Sequence, residues 1–184
     1  MDLTSLIAAV TAAVPDARIE PGTATDQPTF YVAREQLLDV AQALHDRADL
    51  RFAVLADVIG VDLLPKAPRF EVVYHLLAPS TPARLRMKVR VPGDDARVPS
   101  LTGIWPGANW LEREVWDLFG IVFDGHGDLR RLLTPDDWEG HPLRKDYPVQ
   151  IRLTPKATEA LQVTEEQFRA NMAQDRQARD RSRS

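Results

Sequence analysis

The chain has 184 residues, of which 44% are hydrophobic and 27% are charged; this length buries one sizeable core but is short for two independent ones. A formal net charge of −4 excludes the global basic field with which proteins bind nucleic-acid backbones. Cysteine is absent, which excludes disulfides, thiol nucleophiles and cysteine-ligated iron–sulfur or zinc sites. Because no apolar run approaches the roughly 20 residues that cross a bilayer, we expect membrane association only through a partner.

The N-terminal residues predict an amphipathic helix, which Asp2 caps and Pro15 ends. Its apolar residues recur at helical spacing, namely Leu3, Leu6, Ile7, Val10 and Val14. A turn and a short strand are predicted within residues 21–34. A second helix is predicted over about 34–48, where one stripe is apolar: Leu37, Ala41, Leu44 and Ala48. In the next strand, alternate residues are expected to face inward, namely Phe52, Val54, Ala56 and Val58.

The clearest local prediction is a β-hairpin whose strands lie within residues 69–79 and 83–92. A register with Leu77 opposite Arg84 places apolar pairs on one face: Leu76 with Leu85, Tyr74 with Met87, Val72 with Val89 and Phe70 with Val91. It leaves Glu71 opposite Arg90 on the other face. The outer face of the second strand then carries a basic row, which we interpret as a solvated face rather than a binding stripe: Arg84, Arg86, Lys88 and Arg90.

After a linker rich in Pro and Gly (residues 92–107), Asn109 and Glu112 predict a capping box that opens a helix. Its apolar face contains Leu111, Val115, Leu118, Phe119 and Val122. Glu112, Arg113 and Asp117 are expected on the opposite, charged side with Trp116, which is either a lid over a neighbouring loop or an interface anchor. From Gly120 onward, glycines and prolines predict an extended, irregular ribbon.

These elements together predict an α+β fold with three parts. Residues 1–108 form a single N-terminal domain, in which helices pack on a mainly antiparallel sheet. Residues 109–150 contain the helix and the extended ribbon. Residues 151–184 are expected to be partly disordered when free, because their few large apolar groups cannot offset the entropy of ordering them.

Histidines and carboxylates in the ribbon raise the question of a metal site, since zinc accepts both kinds of ligand. One hypothesis is a stand-alone metal-dependent hydrolase that uses His126, Asp128 and His141, with Asp146 as a further candidate ligand. The spacing does not favour it, because no two histidines lie four residues apart on a helix. We expect each histidine instead to cap or bond loop backbone beside a glycine. Metal analysis of the purified chain distinguishes the two hypotheses.

Other catalytic patterns are also missing from the sequence. Glu112 and Glu114 point about 160° apart on a helix of 3.6 residues per turn, so they do not converge for acid–base chemistry. No phosphate loop, GxGxxG motif or nucleophile elbow occurs. We therefore interpret the charged stretch as a docking surface and expect the isolated chain to be catalytically inert.

Two motifs carry a family resemblance: "NWLEREVWDLFGIVFDGHGDLRRLL", which begins at Asn109, and "DDWEGHPLRKDYP", which ends at Pro148. Together they resemble, almost residue for residue, the signature of the C subunit of proton-translocating NADH-quinone oxidoreductase, respiratory complex I. The helices and sheet predicted before them are similar to that family's N-terminal domain. One departure is Gly127, where the family usually has proline.

The resemblance implies a structural and assembly subunit of the hydrophilic arm of a complex that transfers electrons from NADH to quinone. It implies no flavin, iron–sulfur cluster or nicotinamide in this chain, with FMN and iron–sulfur clusters in partner subunits. The implied partners are the large quinone-site subunit and neighbouring iron–sulfur subunits. The implied location is peripheral, on the cytoplasmic side of the cell inner (plasma) membrane. Relatives in some hydrogenases and coenzyme F420 dehydrogenases leave an equivalent subunit of such a complex as an alternative.

The docking hypothesis assigns the partner interface to charged and aromatic residues of the two motifs. The predicted interface residues are Glu112, Arg113, Glu114, Trp116, Asp117, His126, Arg130, Arg131, Trp138, His141, Arg144, Lys145, Asp146 and Tyr147. Among them, the arginines are expected to hold carboxylates and carbonyls at a desolvated contact, and Trp138 is expected to be the apolar anchor. On this hypothesis, Arg131→Glu leaves the N-terminal domain folded but impairs assembly.

Overall fold

Most of the chain is covered by a computed structural model, which describes residues 2–148, 164–170 and 172. Two compact units are present, Met1–Tyr147 and Pro148–Ser184. In the second unit, residues 165–170 are helical and exposed. The prediction of partial disorder in residues 151–184 otherwise falls outside the described residues. None of the helices in the described part of the chain combines the length and apolar character needed to cross a bilayer.

The elements of the first unit in chain order are α1 Leu3–Ala13, β1 Ile19–Pro21, β2 Thr29–Val32, α2 Leu37–Asp46, β3 Val54–Asp62, β4 Phe70–Ala78, β5 Ala83–Val91, β6 Arg97–Pro99, α3 Ala108–Phe119 and β7 Val122–Asp124. Five of the strands form one sheet in the order β1-β2-β5-β4-β3. All strand pairs of this sheet are antiparallel except β2 with β5, and a separate parallel pair joins β6 and β7. The predicted α+β fold is thus confirmed.

Both N-terminal helices form where the apolar periodicity predicts them. The Asp2 carboxylate caps α1 by accepting a hydrogen bond from the Ser5 amide at 3.0 Å, which satisfies one of the free amides at a helix start. The second helix is preceded by a 3-10 turn over Arg34–Gln36. It ends at Asp46, so Ala48 lies in the following turn rather than on the helical stripe.

The hairpin of β4 and β5 has the predicted register throughout. Leu77 lies opposite Arg84 and Glu71 opposite Arg90, and the four apolar pairs form as expected. Tyr74, Val72 and Met87 are fully buried. A one-residue slip would turn this whole set toward solvent, which is why burial specifies the register so strongly.

The inward face predicted for β3 is wrong at its N-terminal end. A β-bulge shifts the register between Leu55 and Asp57, so Leu55 and Val58 are buried while Val54 is 39% exposed and Ala56 faces solvent. A bulge inserts one residue into the strand and changes which side alternate residues face. Strict alternation in the sequence contains no signal for that extra residue.

Residues 92–107, predicted as a linker, contribute to the core. They contain β6, and the side chains of Val98, Leu101 and Trp105 are buried. The Trp105 indole donates a hydrogen bond to the Phe52 carbonyl at 3.0 Å. These apolar residues are separated by prolines and glycines, so they show neither a helical nor a strand period, which explains why the sequence pattern missed them.

The two faces of the main sheet differ in character. One face joins the helices in a single hydrophobic cluster, and Gly60 of β3 lets α3 approach, because a Cβ there would lie 2.6 Å from a ring carbon of Phe119. The basic row on β5 lies on the other face, where three of its cations pair with carboxylates of this chain: Arg86 with Asp26, Lys88 with Glu71 and Arg90 with Glu20. This pairing favours the solvated-face interpretation.

Candidate partner interface

Helix α3 carries the first predicted interface residues, and its start differs from the prediction. The predicted capping box is wrong, because the helix begins at Ala108 after Gly107 without a side-chain cap. The Glu112 carboxylate instead accepts hydrogen bonds from the Ser100 hydroxyl and the Leu101 amide, both at 2.7 Å. Burial raises the pKa of Glu112, although these two bonds oppose the rise. The buried donors of Ser100 and Leu101 need an acceptor, and Glu112 supplies it instead of capping the helix.

The predicted ribbon begins later than Gly120, because Val122–Asp124 forms β7; residues 126–147, which we call the ribbon from here on, cover the charged side of α3. Asp117 on this side is fully buried. Its carboxylate accepts hydrogen bonds from the amides of Leu132, Leu133 and Thr134, at 3.0, 2.8 and 2.9 Å. Burial alone would raise the pKa of Asp117, but bonds from the Thr134 hydroxyl and the three amides outweigh it and hold the pKa well below its usual range. The expectation that Asp117 faces outward is therefore corrected.

Two arginines complete the attachment of the ribbon to this side of the helix. Arg131 pairs with Asp117 at 2.8 Å and donates to the carbonyls of Trp138 and Gly140 at 2.6 and 3.2 Å. Arg113, which is 7% exposed, donates to the carbonyls of residues 130 and 131 at 3.2 and 3.1 Å. Each guanidinium has several fixed donors, so each of these arginines binds two carbonyls of the irregular backbone at once.

The C-terminal end of α3 is closed by residues 141–144 of the ribbon. A helix leaves its last four carbonyls without internal partners. Here the Asp117 carbonyl accepts from His141 Nδ1 at 2.9 Å, the Leu118 carbonyl from the Leu143 amide at 3.0 Å, and the Phe119 carbonyl from Arg144 at 2.5 Å. The cationic arginine also complements the partial negative charge of a helix C-terminus. The motif "HPLR" is thus a cap for α3.

The last residues of the ribbon bind the end of strand β3. The buried Asp62 carboxylate accepts hydrogen bonds from Arg69 at 2.8 Å, from the Leu64 amide at 3.0 Å and from the Lys145 amide at 2.9 Å. Arg69 also pairs with Asp146 at 2.6 Å. Burial would raise the pKa of Asp62, but the bonds from Arg69 and the two amides lower it to about 2.

This carboxylate predicts a dependence of stability on pH. Its folded-state pKa is depressed from 3.8 to about 2, so its contribution, about 2 kcal/mol, is present above pH 3.8 and is lost as pH falls through 2. We expect urea unfolding of the wild type to weaken across this window, with a shallower decline in Asp62→Asn. Equal slopes for the two proteins would contradict the assignment.

The two histidines of the ribbon serve opposite ends of α3. His126 Nε2 donates to the Asn109 carbonyl at 3.1 Å, and its Nδ1 accepts from the Asp128 amide at 3.0 Å. His141 binds the carbonyl of Asp117, eight residues further along the helix, which corresponds to about 12 Å. No group of three or more potential metal ligands occurs among the described residues. Both rings bond backbone groups, as expected if the histidines are structural and not metal ligands.

The predicted interface residues fall into three groups by exposure. Glu112, Arg113 and Asp117 are buried. Trp116, His126, Arg131, Trp138, His141, Arg144 and Tyr147 are partly buried, and Glu114, Arg130, Lys145 and Asp146 are exposed. Trp116 packs edge-on to His141, with ring centroids 6.2 Å apart. It therefore covers a loop of its own chain, which is the first of the two roles expected for it.

Three residues that were not predicted are the most exposed large apolar side chains among residues 2–147. Trp110, Leu133 and Leu143 have 60, 61 and 52% of their surface accessible. A signal was present in the sequence, since each is a large apolar residue among charged neighbours or prolines and none fits the periodicity of a buried face. The predicted interface was instead assigned mainly to the charged residues beside them.

Comparison with known proteins gives a consistent match. Residues 30–152 match the family model described as "Respiratory-chain NADH dehydrogenase, 30 Kd subunit". The chain is similar to the C subunit of NADH-quinone oxidoreductase from Roseiflexus sp. (strain RS-1), with 48% identity over 81% of this chain and 86% of that protein. It is 47% identical to the corresponding C subunit from Azorhizobium caulinodans, over 80% of this chain and 69% of that protein.

Two solved structures resemble the fold. "Nqo5 of the trypsin-resistant fragment (1-134)" matches with a TM-score of 0.54 and 36% identity, over 70% of this chain and all of that one. A chain of the "membrane-bound sulfane sulfur reductase (MBS), an archaeal respiratory membrane complex" matches with a TM-score of 0.67 and 27% identity, over 79% of this chain and 85% of that one.

Proposed function

The chain belongs to the family of the 30 Kd subunit of respiratory-chain NADH dehydrogenase, and from this we propose that it acts as a structural and assembly subunit without a cofactor of its own. It is a subunit of an NADH-quinone oxidoreductase, as its relatives' names state for them. Electron transfer from NADH to quinone is then an activity of the whole complex, to which this chain contributes architecture.

One observation carries the structural role. The residues of the motif that suggest catalysis are occupied by bonds within this chain: the Asp117 carboxylate holds three amides, and His126 and His141 bond backbone carbonyls. A catalytic group needs free access to a reacting atom. These side chains instead build one fixed unit from α3 and the ribbon.

The finer assignments follow from the family and from the composition. We propose that the chain packs on the large quinone-site subunit and near iron–sulfur subunits, and that FMN and the clusters lie in those partners. The absence of cysteine supports this, since clusters are held by cysteine thiolates. We further propose a peripheral location on the cytoplasmic side of the plasma membrane.

Membership of a related complex is the second candidate function. The likeness to a chain of an archaeal respiratory membrane complex favours it, because the same fold occurs there. The higher identity to subunits of NADH-quinone oxidoreductase, 48% against 27%, favours the first proposal.

Deletion of the gene tests the proposed function. We expect membranes of the deletion strain to lose the assembled complex on native gels and at least about tenfold of their NADH-quinone activity, because a missing structural neighbour leaves its partner's apolar contact exposed to water. Reintroducing the wild-type chain should restore both. A deletion strain with wild-type assembly and activity would contradict the proposal.

A further inference from the structure

Trp110, Leu133 and Leu143, which we call the apolar triad, follow one helix from its first turn to its end. Trp110 lies in the first turn of α3. Leu133 is attached through its amide to Asp117 at 2.8 Å, and Leu143 through its amide to the Leu118 carbonyl at 3.0 Å. Trp110 belongs to α3 itself, and Leu133 and Leu143 are placed beside α3 by the same bonds that hold the ribbon.

The backbone that carries these side chains is held in place before any partner binds. The amides of Leu133 and Leu143 are bonded to the helix, and the Arg113 guanidinium lies 4.9 Å from the centroid of the Trp110 ring. A group that is already ordered loses little conformational entropy on binding. Large apolar side chains fixed in an exposed position are typical of binding anchors, whereas isolated mobile ones are ordinary surface residues.

Exposed carboxylates lie beside two members of the apolar triad. Asp136 and Glu139 are exposed close in sequence to Leu133. Glu114 is exposed one helical turn from Trp110, and side chains four residues apart share a helix face. Beside Leu143 the exposed charges are mixed, since Lys145 and Asp146 both follow it. A surface that complements this one is therefore basic where it faces residues 133–139.

We propose that the apolar triad is the contact of this chain with a neighbouring subunit, whose own surface is apolar at the centre and carries Arg or Lys where it faces residues 133–139. This inference rests on the proposed function, and it assigns the contact to apolar rather than charged residues. The buried charged residues of the motif hold the ribbon on α3, and the apolar triad contacts the partner. Charged motif residues act on assembly by positioning Leu133 and Leu143.

The test replaces each member of the apolar triad in the full-length chain, expressed in the deletion strain. Trp110→Asp, Leu133→Asp and Leu143→Asp are each expected to lower the amount of assembled complex on native gels at least about tenfold, the loss typical of an interface anchor. The matched control is Leu38→Asp, on the exposed side of α2 with 44% of its surface accessible. It should assemble within about twofold of the wild type.

Two further measurements are needed. The first shows whether a variant fails to assemble because it is unfolded, and the second tests the contribution of the charges beside the apolar triad. Urea unfolding of each purified variant should give a midpoint close to that of the wild type, because more than half of each replaced residue is already exposed. If an Asp variant unfolds, Leu133→Ser repeats the comparison. Glu139→Lys reverses a border charge, so its assembly defect should be larger at low salt than at high salt.

The outcomes distinguish the two proposals. If deletion abolishes the complex but all three well-folded variants assemble like the wild type, the apolar triad is not the contact and the proposed function stands. If deletion has no effect, the proposed function fails. If the free chain forms a dimer that Leu133→Asp dissociates while complex assembly stays normal, the surface binds a second copy of this chain and the inference is overturned.

Discussion

Arg131→Glu is expected to release the ribbon from α3, with a loss of about 3–5 kcal/mol in the free energy that holds it there. Arg131 pairs at 2.8 Å with Asp117, whose side chain is fully buried. The substitution removes the cation that pairs with this carboxylate and adds a second negative charge beside it. Hydrogen exchange of the amides of residues 132–134 should accelerate roughly a hundredfold or more, since about 1.4 kcal/mol corresponds to a factor of 10.

The adjacent arginine provides a matched control. The Arg130 side chain is 72% exposed and pairs with the partly exposed Asp128, so Arg130→Glu should change stability by less than about 0.5 kcal/mol. Similar effects at the two positions would show that burial of the Asp117 pair is unimportant. The structure also changes the reason for an assembly defect in Arg131→Glu: the ribbon that positions Leu133 detaches, instead of one direct contact being lost.

Gly120→Ala is the second substitution with a large expected effect. Gly120 ends α3 with φ of +71°, a left-handed conformation that costs a residue with a Cβ about 1–2 kcal/mol. That Cβ would lie 2.4 Å from His141 Cδ2 and 2.7 Å from Arg144 Nη2. Moving these side chains breaks their bonds to the carbonyls of Asp117 and Phe119, at about 1 kcal/mol each. We expect the free energy of unfolding to fall by about 3 kcal/mol.

Gly127 is the control for this substitution, because a Cβ there would meet nothing within 4 Å. Gly127→Ala should therefore leave the urea midpoint nearly unchanged. Comparable losses at both positions would mean that the contact with His141 and Arg144 is not responsible. The open space at Gly127 also fits its place as the departure from the motif, where the family usually has proline.

Local pattern determined the parts of this protein that depend on near neighbours in sequence. The first helix follows from its apolar spacing and Asp2, and the β4–β5 register follows from four apolar pairs that only one alignment brings together. The motifs of residues 109–148 were sufficient to indicate the family. For the helix and the hairpin, the deciding interactions lie within one element or across one turn, so the sequence displays them directly.

Only the tertiary structure decided which charged residues are buried and which apolar residues are exposed. Periodicity places Asp117 on the polar side of α3, but it does not show that amides 15 to 17 residues later would cover it. Arg69 and Asp146 meet across 77 residues. A carboxylate is buried when distant donors supply its hydrogen bonds, and those donors come from irregular backbone with no period. The same coverage leaves Trp110, Leu133 and Leu143 exposed. For this reason the sequence identified the family motifs but indicated their charged residues rather than their exposed apolar side chains.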